Sequence, residues 1–149
     1  MKEFNDQSKL DGSLVLDILL DADGLVALMN SKHVNHEKAI QARKILLSRG
    51  TTWYISRYVV SEVATILSMR VSHKAAVRFL DDLKHSSEVH VIDTNDDLEE
   101  ETQKIFLEQV SKNISYVDCH NVALIRRYKL DGIFSFDEHY RKNGVVLVT

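Results

Sequence analysis

Residues 16–28, Leu-Asp-Ile-Leu-Leu-Asp-Ala-Asp-Gly-Leu-Val-Ala-Leu, hold the pattern from which the fold is read. The apolar run Ile18, Leu19, Leu20 stops at Asp21. Ala22-Asp23-Gly24 then turns the chain into a second apolar run over 25–28. That is the signature of a buried strand carrying a carboxylate at its C-terminal end and leading into a helix. In parallel α/β sheets, ligands sit outside the C-terminal ends of the strands. Asp21 therefore stands where such a fold places its chemistry. Asp17 shares strand parity with Asp21, but more strand follows it and a turn follows Asp21.

Outward from this segment, strands and helices alternate. The first strand is expected over 15–20, with a short helix after Asp23. Asn35-His36-Glu37 opens the next helix, with Ala39, Ala42, Ile45 and Leu46 at helical spacing and Gly50 as its stop. Trp53-Tyr54-Ile55 reads as a strand and Ser56 as the cap of a helix over 57–69, whose stripe is Val59, Val63, Ile66 and Leu67. Ser72 caps a helix with Ala75, Ala76, Phe79, Leu80 and Leu83 on its buried side. A strand follows over 89–92. Thr94 is read as the start of a helix whose acidic first turns suit the positive end of the helix dipole. Ser115-Tyr116-Val117-Asp118 has the form of a capping box and opens a helix running to about residue 129. The last strands are expected over 132–136, ending at Asp137, and over 145–148. The alternation predicts an α/β fold with a mainly parallel sheet between helical layers.

The chain has 149 residues, which suits one domain with a real core. Its 44% hydrophobic content excludes a disordered chain. No apolar run approaches the roughly 18 residues of a membrane span. The N-terminal segment is polar and lacks the apolar core of a signal peptide, so the chain reads as cytoplasmic. One cysteine, Cys119, excludes an intrachain disulfide framework and a cysteine-based zinc site. The formal charge of −3 argues against a broadly basic nucleic-acid coating protein. The absence of proline fits a helix-dominated fold.

Four carboxylates stand out: Asp21, Glu62, Asp118 and Asp137. Taken singly, each has a structural explanation as a strand end, a stripe edge, a helix cap and a turn residue. Taken together, they follow two apolar strands (Asp21, Asp137), open a helix (Asp118) and lie within an apolar stripe (Glu62). A carboxylate there is costly unless paired. Two carboxylates 4 Å apart repel by about 4 kcal/mol at an effective dielectric near 20. A pocket of four without a matching lysine or arginine calls for divalent cations, and all-oxygen ligation favours Mg²⁺ or Mn²⁺ over zinc. Period-two alternation from Ile133 puts Ser135 on the face of Asp137, where a hydroxyl can hold a metal-bound water. Asp23 reads as a helix cap, with an outer role at the site as the alternative. The histidines (His33, His36, His73, His85, His90, His120, His139) read as surface or partly packed residues, His120 being notable for its place two residues from Asp118.

The ordered set Asp21, Glu62, Asp118, Asp137, in the contexts LLDADGLVAL, VVSEVATIL, SYVDCHNVAL and IFSFDEHY, resembles the PIN-domain family and, within it, the VapC-type toxins of toxin–antitoxin pairs. Asn35-His36-Glu37-Lys38-Ala39 also resembles the helix start that follows the family's first acidic motif. The likeness spans residues 14–149 as one domain, with 1–13 as a flexible lead-in longer than the family usually carries. It implies a three-layer α/β/α fold, Mg²⁺- or Mn²⁺-dependent RNA cleavage, a frequent homodimer and a cognate antitoxin. It makes Asp21, Glu62, Asp118 and Asp137 the metal-site set, with Ser135 as their polar neighbour. Asp23 departs from the pattern, since Asn, Ser or Thr is commoner there.

Phosphodiester hydrolysis by one or two metals fits these residues: the metal polarises the phosphate, lowers the pKa of a bound water and stabilises the leaving oxygen. Arg126, Arg127, Lys129, Arg141 and Lys142 are candidates for guiding the RNA backbone. The apolar helices over 57–69 and 73–85 are core by default and a partner surface otherwise. The competing readings are a PIN-like RNA- or protein-binding module without cleavage and a non-toxin RNA-processing nuclease. The turn Asp21-Ala22-Asp23-Gly24 lacks the glycine pattern of a dinucleotide-binding domain. Phe136-Asp137-Glu138 lacks the lysine of a phosphoacceptor receiver.

Overall fold

The computed structural model describes residues 15–149, so the expected lead-in over 1–13 lies outside the described residues. Along the chain run β1 (Asp17–Leu20), α1 (Ala22–Met29), α2 (His36–Ser48), β2 (Thr52–Ser56), α3 (Arg57–Arg70) and α4 (His73–His85). They are followed by β3 (Val89–Ile92), α5 (Asp96–Glu108), α6 (Tyr116–Tyr128), β4 (Gly132–Phe134) and α7 (His139–Lys142). The four strands form one parallel sheet in the order β3-β2-β1-β4.

Both faces of that sheet are covered, which is why the stretches 18–20, 53–55 and 132–134 are buried at every position rather than at alternate ones. Ile18, Leu20, Trp53, Ile55 and Phe134 pack with α1 to α4, including Val59, Val63, Leu67 and Phe79. Leu19, Tyr54, Ile92 and Ile133 face the other way, onto Leu98 and Ile105 of α5, Val122 and Leu124 of α6, and Tyr140 of α7. The result is the expected three-layer α/β/α architecture.

Local signals set the helix starts. Ser56 Oγ accepts from Val59 N at 3.1 Å, and Ser72 Oγ accepts from Ala75 N at 3.1 Å. Ser115 and Asp118 form a complete capping box. At α5 the cap is Asn95, not Thr94, because the amide oxygen reaches Leu98 N at 3.0 Å while the Thr94 hydroxyl turns to Glu99.

Three further expectations are corrected. The strand foreseen over 145–148 is a single parallel bridge, Ile133 to Leu147, since the three-residue β4 offers little ladder to extend. β4 ends at Phe134, so strand alternation does not relate Ser135 to Asp137. Instead, Asp137 N donates to Ser135 Oγ at 3.1 Å in a turn. Leu80, assigned to a buried helix face, is exposed, as is Ile45 beside the buried Ala42 and Leu46. Among the described residues, no helix is long and apolar enough to cross a membrane.

The chain steps from β1 to β2 on one side and returns to β4 on the other, making the β1/β4 boundary the switch point of the sheet. Asp21 N donates to Phe134 O at 3.3 Å across it. α1 sits so close to β4 that a Cβ at position 24 would collide with the Phe134 carbonyl and ring. Gly24 is there for that approach.

Candidate metal centre

Asp21 occupies the N-cap position of α1, yet its side chain makes no capping bond. The residue is 5% exposed and its carboxylate is held by residues a hundred positions or more away: Oδ1 accepts from Asn121 Nδ2 at 3.0 Å, and Oδ2 from Ser135 Oγ at 3.0 Å. The Ser135 hydroxyl also stands 2.8 Å from Asp23 Oδ1, and Asp23 Oδ2 accepts from Phe136 N at 3.0 Å. A hydroxyl has one proton to donate. With both carboxylates ionised, it serves one of them and leaves the other short. Asp23 is thus no helix cap. It ties the first turn of α1 to the segment after β4.

On α6, Asp118 does two jobs. Its Oδ2 accepts from Ser115 N at 2.8 Å, closing the capping box, while Oδ1 accepts from Tyr140 OH at 3.2 Å. Asn121, one turn further along, spends its two amide hydrogens on Asp21 and on Tyr140 OH, the latter at 3.0 Å. A continuous relay therefore runs Asp21–Asn121–Tyr140–Asp118, buried at the Asp21 end and half-buried at Asp118. Asn121 and Tyr140 are fully buried and were not flagged from sequence. For Asn121 the signal was spacing: it lies three residues after Asp118 on α6, and so on the same helical face.

Glu62 enters from α3, half-buried, and Asp137 from the turn after β4, where its Oδ1 accepts from His139 N at 2.9 Å. Asp118, Asp137 and His139 each offer a ligand atom within 4.8 Å of one another. Electrostatics joins the rest. The Asp21 carboxyl is pushed well above its ordinary range by loss of hydration first, then by Asp23 and Asp118. Burial, then Asp118 and Asp23, raise Glu62. Burial and the charges of Asp21 and Asp118 raise the Tyr140 phenol as well. No ion pair among the described residues involves Asp21, Asp23, Glu62, Asp118 or Asp137. All five residues singled out from sequence, Ser135 included, therefore meet at one end of the sheet, in a cluster of negative charge without a basic partner among the described residues.

Other candidates lie elsewhere. Asp17 sits at the opposite end of β1, its N–H donating to Asp131 at 2.8 Å. His120 and His139 are buried rather than superficial. His120 turns from the cluster to Thr94, at 3.2 Å, and packs edge-on against Tyr58. Arg126 and Arg127 are in the last turn of α6, eight and nine residues beyond Asp118. That is roughly 12 Å along the helix. Arg127 pairs with Asp97 at 3.2 Å and Arg141 with Glu138 at 3.2 Å.

Comparison with known proteins accords with this architecture. The family profile described as PIN domain matches residues 18–146. A relative named 23S rRNA-specific endonuclease VapC20, from Mycobacterium tuberculosis, is 27% identical over 131 residues, covering 88% of this chain and 97% of the relative. The crystal structure of that organism's VapC20, described as a sarcin-ricin loop cleaving toxin, superposes with a TM-score of 0.77 at 26% identity over 87% of this chain and 96% of that one. VapBC2 from Rickettsia felis, bound to a promoter DNA fragment, shares the fold at a TM-score of 0.64 and 16% identity, covering 89% of this chain and 96% of its own.

Proposed function

The chain belongs to the PIN-domain family, and we propose that it is a metal-dependent endoribonuclease, hydrolysing RNA phosphodiester bonds as the toxin of a toxin–antitoxin pair. The observation that carries this reading is the meeting of Asp21, Glu62, Asp118 and Asp137 beside Ser135, with no lysine or arginine among the described residues paired to them. The relationship to an endonuclease over nearly the whole chain supports it.

These residues fit a divalent cation. Two of the carboxyls are raised, by burial first and then by the neighbouring carboxylates, and the donors are hard oxygens of the kind Mg²⁺ and Mn²⁺ prefer. In this reading Asp21, Glu62, Asp118 and Asp137 hold Mg²⁺ or Mn²⁺, which supplies Lewis acidity toward the phosphate and lowers the pKa of water. The chain's own residues supply the order. Asn121 and Ser135 aim the Asp21 carboxylate, Tyr140 aims Asp118, and Asp23 holds Ser135 in place. Burial of Asp21, Asn121, Ser135 and Tyr140 shields the contacts among Asp21, Asn121 and Ser135 from bulk water and strengthens them.

The test is cleavage of a mixed RNA pool, and of intact ribosomes, by purified protein in Mg²⁺, in Mn²⁺ and in EDTA, beside Asp21→Asn and Asp118→Asn. Metal-dependent cutting that both variants lose is the expected outcome; an inert wild type, or cutting indifferent to EDTA, overturns the assignment. The same reading pairs the chain with an antitoxin and with a second copy of itself. Light scattering of the purified protein, alone and with the product of an adjacent small gene, checks both.

A further inference from the structure

His139 is the one imidazole that the structure brings to the acidic centre. The residue is 9% exposed, and both ring nitrogens are buried without a hydrogen-bond partner. A neutral imidazole carries one N–H and one lone pair, and each seeks a partner when buried. The ring is held firmly: it stacks on Tyr140 with centroids 4.5 Å apart and planes 24° from parallel. Its backbone N–H is bonded to Asp137 Oδ1, and Tyr140 is in turn bonded to Asp118. A ring nitrogen lies within 4.8 Å of carboxylate oxygens of both Asp118 and Asp137, yet it makes neither a hydrogen bond nor an ion pair with them. Two carboxylates and an unpartnered buried lone pair thus face a common space, held apart.

We propose that His139 is a direct nitrogen ligand, completing with Asp118 and Asp137 a mixed carboxylate–imidazole position that takes a first-row transition cation such as Mn²⁺ in preference to Mg²⁺. This rests on the reading of the acidic centre as a divalent-cation site and refines which ion it selects. Imidazole suits transition metals, whereas Mg²⁺ seeks oxygen and keeps its waters. Replacing one oxygen by His139 nitrogen therefore tilts the position away from Mg²⁺. The expectation drawn from sequence, of ligation by oxygen alone, is revised at this corner of the centre.

The experiment is titration of the purified full chain with Mn²⁺ and, separately, with Mg²⁺ by calorimetry. Pulsed electron paramagnetic resonance on the Mn²⁺ form then looks for coupling to a directly bound ¹⁴N. The wild type is expected to show nitrogen coupling. In His139→Gln the coupling disappears and Mn²⁺ affinity falls about tenfold or more, while Mg²⁺ affinity stays within about threefold of wild type. His139→Asp, which restores an oxygen ligand, guards against misfolding of the Gln variant and is expected to bind both ions with the preference shifted toward Mg²⁺. Bound Mn²⁺ without nitrogen coupling in the wild type overturns the assignment of His139 alone, as does an equal loss of both ions in His139→Gln or an unchanged preference in His139→Asp. Failure of the wild type to bind either ion overturns the cation-site reading beneath it.

Discussion

Tyr116 and Asp118 stand two residues apart on α6 and belong to two groups of carboxylates with opposite fates. Tyr116 OH donates to Glu99 Oε2 at 2.7 Å; Tyr58 OH and Thr94 Oγ1 donate to Glu99 Oε1 at 2.6 and 2.7 Å. Those three hydroxyls, Tyr58 foremost, draw the Glu99 carboxyl down to about 2. Asp118 instead lies among Asp21, Asp23, Glu62 and Asp137, where burial and like charge drive Asp21 and Glu62 upward. Acidity is common to both groups. The supply of donors separates them. Glu99 is complete within the protein and ties the first turns of α3, α5 and α6 together. The neighbouring group remains short of positive charge and is the one that calls for a ligand.

The contrast breaks first on activity. Asp118→Asn or Asp21→Asn is expected to cut RNA cleavage at least about a hundredfold, ~3 kcal/mol of transition-state stabilisation, while Glu99→Gln retains metal-dependent cleavage in the same gel assay. Next is the response to metal. A cation at a hundredfold excess over its Kd stabilises a protein by about 2.7 kcal/mol, roughly 8 °C in Tm for a domain of this size. That upshift should survive Glu99→Gln and vanish in Asp118→Asn. Third, Glu99→Gln removes charge-assisted bonds from three hydroxyls in a half-exposed setting and is expected to cost about 1–2 kcal/mol, read as a lower midpoint in urea.

A smaller effect has the opposite sign. Asp21→Asn takes a charge from a buried site that lacks compensation, so in EDTA it should stabilise the protein by about 1 kcal/mol while abolishing activity. Last comes pH. Glu99 is lowered in the folded state, so its contribution is present above its ordinary 4.5 and is lost as pH falls toward 2. Asp21 is raised, so its penalty is absent in acid and grows as pH climbs from its ordinary 3.8 through the raised folded value. In metal-free protein, the deficit of Glu99→Gln should therefore shrink on acidification below about pH 4.5. The advantage of Asp21→Asn should shrink there too, and widen toward neutrality. Denaturation midpoints across pH, in EDTA, read both slopes.

What could be read from the chain itself was whatever depends on near neighbours. The run Ile18–Leu20 ending at Asp21, the caps Ser56 and Ser72 and the Ser115/Asp118 box each act within about four residues, and the structure forms them where expected. Parallel topology followed, because strands alternating with helices have few other ways to cover both faces of a sheet. Asp21, Glu62, Asp118, Asp137 and Ser135 were visible as acidic or polar residues at strand ends, in a first turn or within an apolar stripe.

Tertiary structure alone decided which of the polar groups are left wanting. Asn121 reaches Asp21 across 100 positions and Ser135 reaches it across 114. Glu99 finds Tyr58 41 residues away, and Gly24 is required by a carbonyl on β4. Asp23 looked like a cap because local spacing permits one, but the segment after β4 offered it a backbone N–H and a hydroxyl instead. His139 looked ordinary in sequence for the same reason. Burial without a partner is a property of the packed molecule, since desolvation and donor supply are summed over everything nearby, however distant along the chain.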